Sequence, residues 1–305
     1  MRIVQGLESY PPDADPAVVA LGAFDGIHLG HRAILGTAVD HGKSWGIPAV
    51  ACTFDRHPME VLHPDRAPLP ITTLAERLDL IAKTGVDQVV VLVFTPALAA
   101  VEAEAFVKDV VVGRLHAREV VVGFNHTFGR GARGDVALLR SLGGQVGLVT
   151  HVVPPLLVDG IPVSSSEIRA ALRDGDVGRA ARYLGRPYSI GGTVMRGAGR
   201  GRTLGFPTAN LDPERPLLVP SGVYACRAEF DGQLRSAVVN VGVRPTFGEN
   251  DLAIEAYLID LSGDLYGVRL RLHFVERLRS EQKFPSVDEL RAQIGRDVDA
   301  ARDAL

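Results

Sequence analysis

A chain of 305 residues with 46% apolar and 23% charged residues can bury more than one core, and its length favours two domains. A formal net charge of −3 excludes a global positive field for nucleic acid or an acidic membrane surface. No apolar run reaches the roughly 18–20 residues of a membrane span, and no apolar core of a signal peptide follows Arg2, so a cytoplasmic protein is expected.

The first half alternates short apolar runs with helical patterns. Val18–Phe24, Ala49–Phe54, Val86–Phe94, Glu119–Phe124 and Val146–Val153 read as strands buried on both faces. Between them His31–Trp45, Leu74–Thr84, Glu102–Leu115 and Asp135–Leu142 read as helices. This β-α-β-α rhythm predicts a doubly wound, Rossmann-like domain on a parallel sheet. Two short helices follow, Ser165–Arg173 and Val177–Leu184, with Ser164 and Glu167 spaced as a capping box and Asp176 placed to cap the second. After Gly185-Arg186-Pro187 the pattern changes. Ser189–Met195, Val223–Phe230, Ser236–Val241, Ile254–Leu261 and Val268–Val275 are strands with no helix between them, which predicts an antiparallel barrel or sandwich. Ser286 and Glu289 then open a final helix running to about Leu305. The domain boundary is expected near residue 186, giving domains 1–186 and 187–305. Cys52 and Cys226 each sit in a strand-like run and read as buried free thiols.

The segment Gly22-Ala23-Phe24-Asp25-Gly26-Ile27-His28-Leu29-Gly30-His31 follows a strand and opens a helix. Ligands of open α/β sheets bind beyond the carboxyl ends of strands, where helix N-termini offer N–H groups to phosphate. Glycines allow close approach of backbone to ligand, and His28 and His31 can donate to phosphate oxygens that gain charge in a transition state. Phosphoryl-type transfer needs little beyond positioning and charge stabilisation. Metal ligation by the two histidines, or a purely structural helix start, are the alternatives. Three further segments end strands at the same sheet edge: Thr53-Phe54-Asp55-Arg56-His57-Pro58, Gly123-Phe124-Asn125-His126, and Ser164-Ser165-Ser166-Glu167-Ile168-Arg169. In the last, hydroxyls and N–H groups suit a triphosphate and Arg169 can neutralise it; capping alone is the plainer reading.

In the second half, glycines and arginines interleave from Gly191 to Asn210. A dinucleotide-binding fingerprint fails because no helix follows, and a Walker loop fails because the Gly-Lys-Ser/Thr ending is missing. The choice is between a solvated basic loop and a flap over polyphosphate. Thr208 and Asn210 offer neutral oxygens that Mg²⁺ accepts when phosphates complete its shell. Glu255 stands in an apolar strand. Facing the core side it could act as a base; facing out it is a surface residue.

These motifs, taken in order, resemble the bacterial bifunctional riboflavin kinase/FAD synthetase family over nearly the whole chain. The resemblance rests on Gly22-x-Phe24-Asp25-Gly26-x-His28-x-Gly30-His31, Thr53-Phe54-Asp55, Asn125 with Phe128-Gly129, and Ser164-Ser165-Ser166-x-Ile168-Arg169. It continues through Gly205-Phe206-Pro207-Thr208-Ala209-Asn210, Asn240-Val241-Gly242-x-Arg244-Pro245-Thr246-Phe247-Gly248, Glu255, and Asp260-x-x-Gly263-Asp264-Leu265-Tyr266-Gly267. It implies an N-terminal domain that adenylylates FMN and a C-terminal barrel that phosphorylates riboflavin, with ATP, riboflavin and FMN as substrates and Mg²⁺ as cofactor. By position, His28, His31 and Arg169 would stabilise the α-phosphate and departing pyrophosphate, while Asn125 and the loop after Phe54 would bind flavin and nucleotide. Thr208 and Asn210 would hold Mg²⁺ with ATP, and Glu255 would be the base. Arg56 stands where the family usually has proline, Asn125-His126 replaces a pair that often begins with Asp, and Pro285 after Phe284 is unusual. A nucleotidyltransferase with another phosphorylated acceptor and a regulatory barrel is the rival enzyme, and a flavin- or RNA-binding module the non-enzymatic one.

Overall fold

The computed structural model describes residues 1–197, 200–243, 252–261 and 263–305. The Arg244–Gly248 part of the barrel motif, and Ala198 and Gly199 of the glycine–arginine stretch, lie outside the described residues. The chain divides into two compact units, Met1–Ser165 and Ser166–Leu305.

The first unit is a six-stranded, all-parallel sheet. Its strands are β1 (Arg2–Gln5), β2 (Ala17–Leu21), β3 (Ala49–Phe54), β4 (Gln88–Leu92), β5 (Ala117–Gly123) and β6 (Val149–Val153), in the order β1-β4-β3-β2-β5-β6. The chain winds outward from β2 through β3 to β4, then crosses to the other side of β2 to form β5 and β6. The crossover makes the carboxyl edge between β2 and β5 the topological switch point, where such sheets bind ligands. Alternating residues feed two cores. Val18, Ala20, Ala51, Val89 and Val121 pack with Ile34, Leu35 and Ala38 of α1 (Leu29–Trp45) and with Ile81 of α3 (Leu74–Ala82). Val19, Leu21, Val50, Val90, Val120 and Val122 meet Phe106, Val107, Leu139 and Leu142 on the other face.

Between these elements lie α2 (Pro58–Leu62), α4 (Pro96–Ala99), α5 (Ala103–Ala105) and α6 (Val136–Val146). The helix expected over Glu102–Leu115 is α5 followed by a π-helical segment, Phe106–Val112. Here Gly113 N–H reaches back five residues to Lys108 O at 2.9 Å, the wide turn of a π segment. A two-residue hairpin, β7 (Leu157–Val158) with β8 (Ile161–Pro162), separates β6 from the serine run.

The second unit begins with α7 (Ser165–Arg173, from its second residue) and α8 (Val177–Leu184). Helix α8 is capped by Asp176, whose carboxylate accepts the Arg179 N–H at 2.8 Å, and packs on β9 and β14. A closed antiparallel barrel follows: β9 (Tyr188–Met195), β10 (Ala209–Pro213), β11 (Gly222–Phe230), β12 (Gln233–Val243), β13 (Leu252–Leu258) and β14 (Arg269–Arg279), closed in the order β10-β13-β12-β11-β14-β9. A single short helical turn, α9 (Arg200–Thr203), precedes β10. Ile190, Leu211, Ile254, Ala256, Leu270 and Leu272 are among the fully or almost fully buried barrel residues. Helix α10 (Val287–Ala304), capped by Ser286, lays Ile294, Val298 and Ala301 over Val223, Ala225 and Val238 on the barrel's outer wall.

Cys52 and Cys226 are both buried and free, and burial pushes both thiols up, Cys52 to about 12. No helix among the described residues is long and apolar enough to cross a membrane.

The clamp that fixes α10 is ionic. Arg279 of β14 donates from Nε and Nη2 to both oxygens of Asp297, which is 5% exposed, at 2.7–3.1 Å. Asp297→Ala leaves that guanidinium against an apolar face and is expected to lower the second unit's unfolding free energy by about 2 kcal/mol, since Arg279 keeps some contact with water. Urea denaturation followed by circular dichroism measures this.

Candidate active sites

The loop after β2 turns back on itself in three unusual steps: Phe24 at φ 51, Gly26 at φ 83 and Ile27 at φ 39. Two of these three are bulky residues in a backbone region that L-residues avoid. The turn is held by Asp25, 9% exposed, whose carboxylate accepts the Ile71 and Thr72 N–H groups and the Thr72 hydroxyl at 3.0–3.2 Å. The same Thr72 hydroxyl accepts Gly26 N–H at 3.1 Å. Asp25 therefore shapes the turn between β2 and α1.

His28 caps α1. Its Nδ1 accepts the His31 N–H at 3.2 Å, which leaves the proton of a neutral ring on Nε2. The two imidazoles stack at 3.5 Å between centroids and 19° between planes, with Phe24 edge-on to His31 at 5.3 Å. The absence of side chains at Gly22 and Gly30 makes this stack possible. A Cβ at Gly30 would lie 3.2 Å from the His28 ring, and one at Gly22 would lie 2.8 Å from the Phe24 ring. The structure thus brings Gly22, Phe24, His28, Gly30 and His31 into one rigid assembly at the switch point.

The other expected segments fall around the carboxyl edge. Thr53 donates its hydroxyl to Ala23 O at 3.0 Å, so the end of β3 is tied to the turn. Phe54 packs edge-on against Phe94 at 5.1 Å. Asp55 accepts Phe94 N–H at 2.9 Å and Arg56 Nε at 2.9 Å. Burial works against its charge, but these donors outweigh it and hold the carboxyl below its usual range. His57 caps α2 with a complete capping box, a structural duty. Asn125 is exposed in the loop after β5, across the switch point from the β2 turn. Ser164 is half-buried, and Ser165 donates its hydroxyl to Asp25 O at 3.0 Å. Ser166 and Arg169 belong to the second unit, on α7.

One residue of this neighbourhood was not foreseen. Arg77 of α3 is 6% exposed and reaches under the loops, donating to Ala23 O at 2.7 Å and Asp55 O at 3.3 Å. Burial draws its pKa down while Asp25 and Asp55 oppose that. Its only sequence signal is an arginine on the apolar side of an amphipathic helix.

On the barrel, the strand register settles the orientation of Glu255. Ile254, Ala256 and Leu258 are buried, and Glu255 and Tyr257 alternate with them on the outer wall. Facing away from the lumen does not make Glu255 a bland surface residue, as the sequence alternatives had it. Cross-strand pairing places Asn210 of β10 on one side of it and Asn240 of β12 on the other. Thr208, one step before Ala209, shares the parity of Asn210. The row is half-buried, and it borders the apolar cluster of Phe206, Tyr257 and Ile294. Gly197 lies so near Asn210 that a Cβ would overlap its amide, and Gly205 takes φ 88 just before the Phe206–Asn210 motif. Thr208, Asn210 and Glu255 therefore share one polar strip, with Gly197 set against Asn210. Asn240 adds a fourth polar group to it that sequence reasoning had left without a role.

Comparison with known proteins assigns a family to each half of the chain. Residues 10–167 match the FAD synthetase family and residues 184–305 the riboflavin kinase family. A bifunctional riboflavin kinase/FMN adenylyltransferase of Escherichia coli K12 is 36% identical over 306 residues, spanning 99% of this chain and 97% of that one. The chain belongs to the bifunctional riboflavin kinase/FMN adenylyltransferase family. A Bacillus subtilis enzyme of the same name is 37% identical over 287 residues, covering 92% and 90% of the two chains. Among solved structures, a Streptococcus pneumoniae chain described as a macrolide-efflux protein superposes with a TM-score of 0.90 at 31% identity, covering 99% of each chain.

Two outcomes follow from the first unit's geometry. Asp25→Ala removes the anchor of a strained turn and orphans the Ile71 and Thr72 donors. It is expected to cost about 2–3 kcal/mol of first-unit stability, read by thermal melting. His126 gives a pH effect. Its Nε2 is buried with no hydrogen-bond partner among the described residues, and burial lowers its pKa from 6.5 to about 4. The unfolded chain therefore binds the extra proton between pH 6.5 and 4. The neutral ring's contribution is complete above about pH 6.5 and is lost as pH falls towards 4, by about 3 kcal/mol in all. His126→Gln should flatten that part of the stability profile in urea titrations at stepped pH.

Proposed function

We propose that the chain makes FAD in two ATP-dependent steps, one on each fold. Residues 187–305 phosphorylate riboflavin to FMN, and residues 1–186 adenylylate FMN to FAD with release of pyrophosphate. The observation that supports this pairing best is the coexistence of a His28/His31 stack at a switch point with a Thr208–Asn210–Glu255 strip on a separate barrel.

On the barrel, Glu255 takes the proton of the ribityl 5′-hydroxyl as that oxygen attacks the γ-phosphate of ATP and the bond to ADP breaks, leaving FMN and ADP. Thr208 and Asn210 present neutral oxygens on the same wall, a donor set that fits a hard divalent cation completed by phosphate oxygens. Thr208 and Asn210 would hold Mg²⁺ there with ATP, and it would supply charge neutralisation at the phosphates. Gly197, packed against Asn210, and Gly205 offer backbone N–H groups to them.

In the first unit, a phosphate oxygen of FMN attacks the α-phosphate of a second ATP, and the bond to pyrophosphate breaks. His28 donates from Nε2, and His31 from its ring, to oxygens that gain charge as the α-phosphate passes through its transition state. Arg169 and the Ser164–Ser166 hydroxyls serve the triphosphate tail. Asn125 and the Phe54 loop receive flavin and nucleotide. No covalent enzyme intermediate is required at either site. The substrates are small molecules, with no role for nucleic acid or membrane, and the expected setting is the cytoplasm.

Incubation with riboflavin and MgATP, resolved by chromatography, should show FMN and then FAD; formation of neither would sink the proposal. His28→Ala is expected to reduce FAD formation from FMN at least about 100-fold while riboflavin phosphorylation survives. Glu255→Gln is expected to do the reverse. Loss of both activities in either folded variant would show that the assignment of one site to each fold is wrong.

A further inference from the structure

Away from the nucleotide turn, the first unit holds a second constellation of chemically capable side chains. His41 of α1, Glu119 of β5 and His151 of β6 converge, with one ligand-type atom from each within 4.8 Å of the others. Among the described residues this is the one such group of three. His41 Nδ1 lies 2.7 Å and His151 Nε2 2.9 Å from the same oxygen of Glu119. The histidine rings stand 4.1 Å apart at 59°.

Helix periodicity separates this group from the nucleotide site. His41 is ten residues beyond His31, about 15 Å further along α1. Glu119 is the third of seven residues in β5, towards the amino edge of the sheet. Glu119 shares the parity of Val121, and His151 that of Val153, so both lie on the face that α1 covers.

We propose that His41, Glu119 and His151 form a binding site for a zinc-class divalent cation, with a remaining coordination position open to solvent. Two imidazole nitrogens and one carboxylate oxygen select a borderline transition metal over Mg²⁺ or Ca²⁺, which prefer all-oxygen shells. Zinc bonds of about 2.0–2.2 Å in a tetrahedral arrangement separate neighbouring ligand atoms by roughly 3.3 Å. The two nitrogen–oxygen gaps need only open by a few tenths of an ångström. Glu119 is 5% exposed at its side chain while His41 and His151 are 33% and 29% exposed, so the carboxylate forms the floor and the imidazoles the accessible rim.

The carboxylate is also held from behind. Trp45 donates its indole N–H to the other oxygen of Glu119 at 2.6 Å, and the Arg118 guanidinium lies 3.8 Å over the Trp45 ring. An outer partner that orients a ligand in this way is characteristic of metal centres. Protons balance. An ionised carboxylate only accepts, so in the metal-free state His41 Nδ1 and His151 Nε2 are the donors. On binding, each neutral ring shifts its proton to its other nitrogen and turns a lone pair to the ion.

The test uses the full chain, stripped of metal by chelation and free of nucleotide, titrated with Zn²⁺ by calorimetry and with Co²⁺ by visible absorption. One ion per chain, an intense d–d band for low-coordinate Co²⁺, and a Zn²⁺-dependent rise in melting temperature are expected. His41→Gln and His151→Gln should each weaken Zn²⁺ binding by at least about 100-fold, and Trp45→Phe by about tenfold. Circular dichroism establishes that each variant is folded. Absence of stoichiometric binding in the parent chain would overturn the proposal. So would binding that persists in the folded His41→Gln/His151→Gln double variant, or that is lost in His28→Ala/His31→Ala while both rim histidines remain.

Discussion

A buried carboxylate organises the first candidate site. Asp25 accepts three donors from the segment at Ile71 and Thr72, and this lets the chain between β2 and α1 hold two bulky residues at positive φ. Without that anchor the backbone has cheaper conformations to adopt. With it, Phe24 tucks into the core, its edge meets His31, and His31 stacks on His28. Arg77 and Thr53 brace the same loop through Ala23 O. Strain at the turn is matched by satisfied polar groups around it, so the imidazoles are placed before any substrate arrives.

The barrel solves its placement problem by register. Antiparallel pairing brings Asn210, Glu255 and Asn240 side by side across three strands, although they are far apart in sequence. The buried residues of these strands are apolar, and the polar candidates lie on the outer wall. That wall is otherwise claimed by α10, which covers the strands from Val223 to Val238. The polar strip occupies ground beside the helix, where Phe206 and Tyr257 supply an apolar border.

Much of this was legible before any coordinates. Both-faces-buried strands separated by amphipathic helices leave little choice but a covered parallel sheet, and the loss of helices after residue 187 marks the barrel. The elements that escaped notice did so for local reasons. Strand β1 has four residues of which only Val4 is buried, so neither alternation nor an apolar run betrays it. The hairpin β7–β8 is too short to carry a period. The π-helical segment is spelled like an ordinary helix, and only packing widens its turn. At the sites, motif residues were readable because their chemistry is local. The roles of Arg77 and Asn240 were not, because they come from partners on other elements, distant in sequence. The facing of Glu255 needed the register of β13 against buried neighbours, which composition cannot supply.

Trp45 is the only tryptophan in the chain, and it sits at the carboxyl end of α1 with its indole N–H on Glu119 and a guanidinium across its ring. The barrel carries none. Selectively excited intrinsic fluorescence therefore originates in the adenylylating fold alone. A cation stacked on the fluorophore and a carboxylate at its nitrogen make its emission responsive to small displacements of the helix end. The molecule thus carries a built-in, one-sided reporter that can time the loosening of one catalytic half without labelling.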